Sequence, residues 1–186
     1  PLIVVANHCS NLDPPLLGAS LPRATSFLAK EGVFINRIVA AFLKSHGAHP
    51  LKREGTDAAA LRWVLRMLEK GEAVAVFPEG TRSPTGMIKG MPGIAMIAAR
   101  SEAPILPIGI IGTRSIGPLW RVAFPTGDIT VRIGQPFSLP AMSGRMDRSH
   151  LTSLTDMIMH RVADLLPLDY RGVYAQKEDE KKLIQE

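Results

Sequence analysis

Short apolar runs alternate with segments of helical period along most of this chain, and no other feature of the sequence constrains the fold as strongly. Leu2-Ile3-Val4-Val5-Ala6, Ala73-Val74-Ala75-Val76-Phe77 and Ile105 to Ile111 contain no charged or hydrogen-bonding side chain, so each reads as a strand covered on both faces. Ser26 to Ala29 and Ala48 to Lys52 are shorter candidates, and Ile129 to Ile133 has period-2 character. Between them, Ile35, Ile38, Val39, Phe42 and Leu43 recur at helical spacing before Gly47. Leu61, Val64, Leu65 and Leu68 do the same between a cap at Thr56 and a terminator at Gly71. Asp13-Pro14-Pro15 is predicted to be an N-cap followed by prolines in a first helical turn. Pro92 to Arg100 and Leu151 to Leu166 are further predicted helices, the second stopped by Pro167. Such an order predicts an α/β layered fold with a mostly parallel central sheet flanked by helices, and a ligand site near the carboxyl ends of the strands.

A length of 186 residues suits one domain. Residues 1–175 are assigned to it and residues 176–186 to a charged C-terminal tail. The net charge is +5, and because residues 177–186 contribute −1, the body carries +6. Such a body prefers anionic partners: phosphates, nucleic acid or an anionic membrane surface. Nucleic acid is disfavoured, because aromatic residues make up only 5% of the chain and none interleaves with a basic cluster. The single cysteine, Cys9, excludes an intramolecular disulfide and a cysteine-based zinc site, no metal is expected, and the composition fits a reducing compartment. No uncharged apolar stretch approaches the roughly 18 residues that span a bilayer. The abrupt start, Pro1 running straight into a strand, suggests that residues lie upstream.

Two segments at predicted strand ends carry chemistry. In Asn7-His8-Cys9-Ser10-Asn11-Leu12-Asp13, a turn can bring the His8 and Asp13 side chains together. An aspartate that accepts from one ring nitrogen fixes the tautomer and leaves the other nitrogen as a base, with a reference pKa of about 6.5 suited to proton transfer. The same residues would equally serve as a helix cap and a satisfied turn histidine. In Phe77-Pro78-Glu79-Gly80-Thr81-Arg82-Ser83, a carboxylate, a glycine, hydroxyls and an arginine suit a polar or phosphorylated head group. Lys30 and Arg53 are cations at two other strand ends, whereas Lys89 and Arg114 read as solvated charges extending the basic surface. Cys9 adjoins His8, but as a lone cysteine it reads as a small buried hydrophobe rather than a nucleophile.

Together these segments resemble the 1-acylglycerol-3-phosphate acyltransferase family, the PlsC-like glycerolipid acyltransferases, over Leu2 to about Ile133. The family block Asn-His-x-Ser-x-x-Asp is matched by Asn7, His8, Ser10 and Asp13, and Phe-Pro-Glu-Gly-Thr-Arg-Ser by Phe77 to Ser83. A third block, Gly-x-x-Phe-Ile-x-Arg, is matched only at Gly47 and Arg53, and Ala103-Pro104-Ile105-Leu106-Pro107 departs from Val-Pro-x-x-Pro at its first residue. The resemblance implies transfer of a fatty acyl group from acyl-CoA or acyl carrier protein to the hydroxyl of a lysophospholipid, such as 1-acyl-sn-glycerol-3-phosphate. No cofactor beyond that thioester donor is implied. His8 would act as base and Asp13 would orient it, while Lys30, Arg53, Glu79, Gly80, Thr81 and Arg82 would bind the head group. It also implies a place on the cytoplasmic face of the membrane, peripheral or anchored by upstream residues. Two other readings of the residues stand beside it: a thioesterase using the same His–Asp pair on water, and a non-catalytic module binding anionic lipid.

Overall fold

The computed structural model describes residues 1–30, 32, 34, 37–45, 47–51, 57–116, 127–140 and 147–175. Its strands are β1 (Leu2–Ala6), β2 (Thr25–Lys30), β3 (Ala48–Leu51), β4 (Ala73–Val76), β5 (Ile105–Ile111) and β6 (Thr130–Ile133). They form a six-stranded sheet in the order β3-β2-β4-β1-β5-β6. Every pairing is parallel except the last, β5 with β6, which is antiparallel. The layered α/β fold with a mostly parallel sheet therefore stands. The wholly apolar runs occupy the interior of the sheet because only there are both faces of a strand covered. On β1, Ile3 and Val5 join one core with Val74, Ile105, Ile158 and Met159, while Val4 and Ala6 join the other with Leu17, Phe27, Leu106 and Ile108. That is the two-residue alternation of a pleated strand with both sides dry.

The helices are α1 (Asp13–Ser20), α2 (Arg37–Ser45), α3 (Asp57–Glu69), α4 (Gly93–Ser101), α5 (Arg148–Ala163) and the single turn α6 (Leu168–Arg171). Pro14 and Pro15 sit in the first turn of α1, where a missing N–H leaves no hydrogen bond unmade. The capping position, however, is Leu12, not Asp13 as the sequence suggested. Asp13 is the first helical residue and its carboxylate is turned back onto the preceding loop. Helix α5 begins three residues before its first apolar position because Asp147 caps it, accepting from the His150 N–H at 2.8 Å. It ends at Ala163, and residues 164–166 form a turn before Pro167 opens α6. The expected cap Thr56, Arg53 and the tail 176–186 lie outside the described residues.

Gly109 is where that turn meets the sheet: a Cβ there would lie 2.9 Å from Leu165 Cβ and 3.0 Å from Leu166 Cδ2. Replacing Gly109 by alanine should overpack this junction and destabilise the fold by about 1–3 kcal/mol. A lowered Tm with unchanged secondary structure is the expected outcome of thermal unfolding by circular dichroism.

Candidate active site

Where β1 ends, Asn7 takes over its pairing with β5. The side-chain amide donates to the Ile110 carbonyl at 2.9 Å and its oxygen accepts the Ile110 N–H at 2.7 Å, so the buried asparagine substitutes for a peptide group. The chain is then free to turn toward α1 without orphaning β5. Within that turn, one oxygen of Asp13, Oδ2, accepts from the backbone N–H of Cys9 at 2.6 Å and of Ser10 at 2.7 Å, and lies 2.9 Å from His8 Nδ1. Asp13 is fully buried. Its charge is met by these donors and by the amino end of the helix it opens. His8 must present Nδ1–H to this carboxylate, which leaves Nε2 with its lone pair and, among the described residues, without a partner. The ring rests on Phe77 with centroids 4.4 Å apart, and 17% of the His8 side chain remains exposed.

The second segment is delivered by register. Val5 pairs with Val76 across β1 and β4, so His8 and Glu79 each lie three residues past a paired position. The His8 N–H donates to Glu79 Oε1 at 2.8 Å, and the Ile88 N–H donates to Oε2 at 3.0 Å. The Ser83 N–H reaches the His8 carbonyl at 2.7 Å, tying the two loops together. Glu79 is buried and each of its oxygens accepts one backbone N–H, so it braces the histidine loop from behind. Burial pushes its carboxyl above the usual range, and the two backbone N–H bonds oppose that shift. Gly80 turns the chain away with φ +66°, and a Cβ there would meet Met91 Cε at 2.6 Å.

Beside the pair lies a cavity of about 300 Å³. Cys9 and Ser10 line it from the first loop, Thr81, Arg82 and Pro84 from the second, and Arg114 and Ile116 from the segment after β5. A larger cavity of about 560 Å³, bordered by Leu65, Leu68 and Arg100, opens at the amino ends of the strands, away from the histidine. The structure thus brings His8, Asp13, Gly80, Thr81 and Arg82 together with Glu79 behind them. Lys30 closes β2, two strands from β1, and Arg53 lies outside the described residues. The Cys9 thiol packs with the core, and burial together with the Asp13 charge pushes it up to about 11, so it is protonated at neutral pH and unsuited to nucleophilic attack.

Three residues named in the sequence only as motif matches or as a surface charge build the site. Asn7 and Ser10 carry structural bonds, Ser10 Oγ donating to the Ile116 carbonyl at 3.0 Å. Arg114 was read as a solvated charge, yet its guanidinium lies 3.2 Å over the Tyr170 ring and pairs with Asp169 at 2.8 Å. It follows a strand end just as Lys30 does, and the same rule would have selected it. What the sequence withholds is that β5, not β2, is the neighbour of β1.

A layered α/β sheet with a histidine–aspartate pair at the carboxyl end of an interior strand defines an acid–base site of the kind that acts on a substrate hydroxyl or water. Comparison with known proteins makes the class specific: residues 1–111 match the Acyltransferase family, and the chain belongs to that family. It is 27% identical over 164 residues to the 1-acyl-sn-glycerol-3-phosphate acyltransferase of Bacillus subtilis (strain 168), covering 88% of this chain and 80% of that protein. It is 32% identical over 116 residues to the 1-acyl-sn-glycerol-3-phosphate acyltransferase of Streptococcus pneumoniae, covering 61% of this chain and 43% of that one. The crystal structure of the 1-acyl-sn-glycerophosphate (LPA) acyltransferase PlsC from Thermotoga maritima is similar with a TM-score of 0.67 and 29% identity, over 88% of this chain and 64% of that one. The chain thus spans most of the Bacillus relative and less than two thirds of the other two.

The brace formed by Glu79 can be tested directly. Glutamine has one acceptor oxygen where the carboxylate uses two, so Glu79→Gln sets an NH₂ against either the His8 or the Ile88 N–H. A loss of about 1–3 kcal/mol is expected in urea unfolding.

Proposed function

We propose that this chain transfers a fatty acyl group from a thioester, acyl-CoA or acyl carrier protein, to the free hydroxyl of 1-acyl-sn-glycerol-3-phosphate, yielding phosphatidic acid for phospholipid synthesis. The observation that carries the reading is the His8 Nδ1 to Asp13 Oδ2 contact of 2.9 Å, which fixes the ring's orientation and turns Nε2 away from the carboxylate, next to a cavity lined by arginine. The names of the relatives supply the substrate class. In the proposed step, Nε2 accepts the hydroxyl proton as the acceptor oxygen attacks the thioester carbonyl. The tetrahedral intermediate then expels the thiolate, which takes that proton back from His8. One C–O bond forms, one C–S bond breaks, and the thiol leaves as CoA or holo carrier protein. Asp13 stabilises the transient imidazolium and remains ionised. Arg82, with Lys30 and Arg53, is assigned to the phosphate-bearing head, Thr81 to its oxygens, and Gly80 to close backbone approach.

Replacing His8 by alanine removes the general base and should slow transfer by roughly 10²- to 10⁴-fold with little change in Tm. Asp13→Asn should cripple transfer as well, because the amide favours the wrong tautomer. The assay is thioester cleavage with and without the lysophospholipid. Cleavage that requires the acceptor and yields phosphatidic acid supports transfer, and equal cleavage without it would establish a thioesterase.

The reading places the protein at the cytoplasmic face of a membrane. No helix among the described residues is long and apolar enough to cross one, and the +5 chain offers an electrostatic route to an anionic surface. Binding to phosphatidylglycerol-containing vesicles should weaken steeply as salt rises from 0.05 to about 0.5 M, since contacts of about 1 kcal/mol per basic residue are screened over that range. Co-sedimentation at several salt concentrations checks this.

A further inference from the structure

We propose that Arg114 is a second arginine of the anion site already assigned to Arg82, the two closing on a phosphate monoester in the cavity beside the His8–Asp13 pair. The inference gives the acceptor or donor phosphate of the proposed reaction a specific place, and to that extent rests on the acyl-transfer reading, but the binding itself is measurable without turnover.

Arg82 follows β4 and Arg114 follows β5, the two strands that flank β1, so the sheet order converges both side chains on the cavity next to His8. Arg82 is exposed and, among the described residues, makes no hydrogen bond or ion pair. Arg114 is the opposite: three contacts hold it still. Its guanidinium carbon sits 3.2 Å over the Tyr170 ring, Nη1 bonds Asp169 Oδ2 at 2.8 Å, and Nη2 donates to the Asp169 carbonyl oxygen at 2.5 Å. Tyr170 is itself fixed, its hydroxyl accepting the Gly112 N–H at 2.9 Å. A guanidinium immobilised by stacking loses little freedom when it binds an anion.

These contacts use two of the five N–H donors. The Nε–H is buried and shut off from the cavity, so the donors that Arg114 can offer an anion are the second N–H of Nη1 and the second N–H of Nη2. Asp169 satisfies the charge only in part, since its side chain is 60% exposed and that of Arg114 24%, and exposed pairs of this kind interact weakly. A preset arginine and a free one facing the same space match the three oxygens of a phosphate monoester, which accept from both forks. The Thr81 hydroxyl lines the same cavity, and a volume of about 300 Å³ suits a small polar head. Two sources share this chemistry: the glycerol 3-phosphate head of the acceptor and the 3′-phosphate of CoA.

The test is calorimetric titration of the whole chain with glycerol 3-phosphate and, separately, with adenosine 3′,5′-bisphosphate. Arg114→Gln should weaken the phosphate ligand about 10- to 100-fold, and Arg114→Lys should recover only part of that. Asp169→Asn loosens the same ion pair but leaves the cation in place, and should change binding by less than about three-fold. Dependence on Arg114 with glycerol 3-phosphate assigns the site to the acceptor, and dependence with the bisphosphate alone assigns it to the donor. Binding of neither compound by the unaltered chain, binding unchanged in Arg114→Gln, or equal losses in the Arg114 and Asp169 variants would overturn the proposal, the last by showing that Arg114 is a strut. Arg114-dependent binding by a chain that transfers no acyl group would uphold the site and defeat the acyl-transfer reading alone.

Discussion

A carboxylate withdrawn from water must be met by donors, and at Asp13 three of them converge on one oxygen. Desolvating such a charge costs several kcal/mol before compensation, so the loop from His8 to Asp13 has little freedom to adopt any other shape. Its shape decides the rest of the site. The N–H groups of Cys9 and Ser10 are committed to Asp13, the imidazole is held with Nδ1 inward, and helix α1 leaves the sheet with the aspartate in its first turn. The residue type at this position follows from the same geometry: glutamate would carry the acceptor one methylene further and lose the bonds to both backbone N–H groups.

Around that carboxylate the sheet works as an alignment device. Parallel pairing of β1 with β4 and β5 puts three strand ends on the same side, and the register between Val5 and Val76 sets His8 level with Glu79. Two side chains then extend the ladder beyond the point where backbone pairing stops. Asn7 bridges to Ile110 on one side, and Glu79 receives the His8 N–H on the other. Both are buried polar groups with their principal bonds satisfied, so they rigidify the loop rather than strain it.

Much of this frame was legible in the sequence because buried parallel strands announce themselves as unbroken apolar runs. Residues 2–6 and 105–111 were read to the residue for that reason. Helix α5 was placed three residues late, since periodicity sees only apolar positions while the start is fixed by the Asp147 cap. The pairing of His8 with Asp13 was readable because it is local. The role of Glu79 was not, because its partners are the N–H groups of His8 and Ile88, contacts that exist only once two strands are side by side. The segment from Leu168 to Tyr174 escaped notice altogether: one helical turn and a 3-10 turn are too short for any period to show.

That last segment clasps the site from behind. The Met87 N–H donates to the Tyr170 carbonyl, the Val173 N–H to the Met87 carbonyl, and the Gly90 N–H to the Tyr174 hydroxyl at 2.9 Å. Burial pushes that hydroxyl up to about 12, and it donates to Asp156 Oδ1 at 3.2 Å. The loop that follows β4 is therefore braced by residues more than eighty positions later in the chain. During synthesis, at roughly 5–20 residues per second, the strands that carry His8 and Glu79 emerge several seconds before Tyr174 does. Completion of the site is thus tied to completion of the domain, and a nascent chain halted before Leu168 would hold its acid–base pair in an unfinished wall.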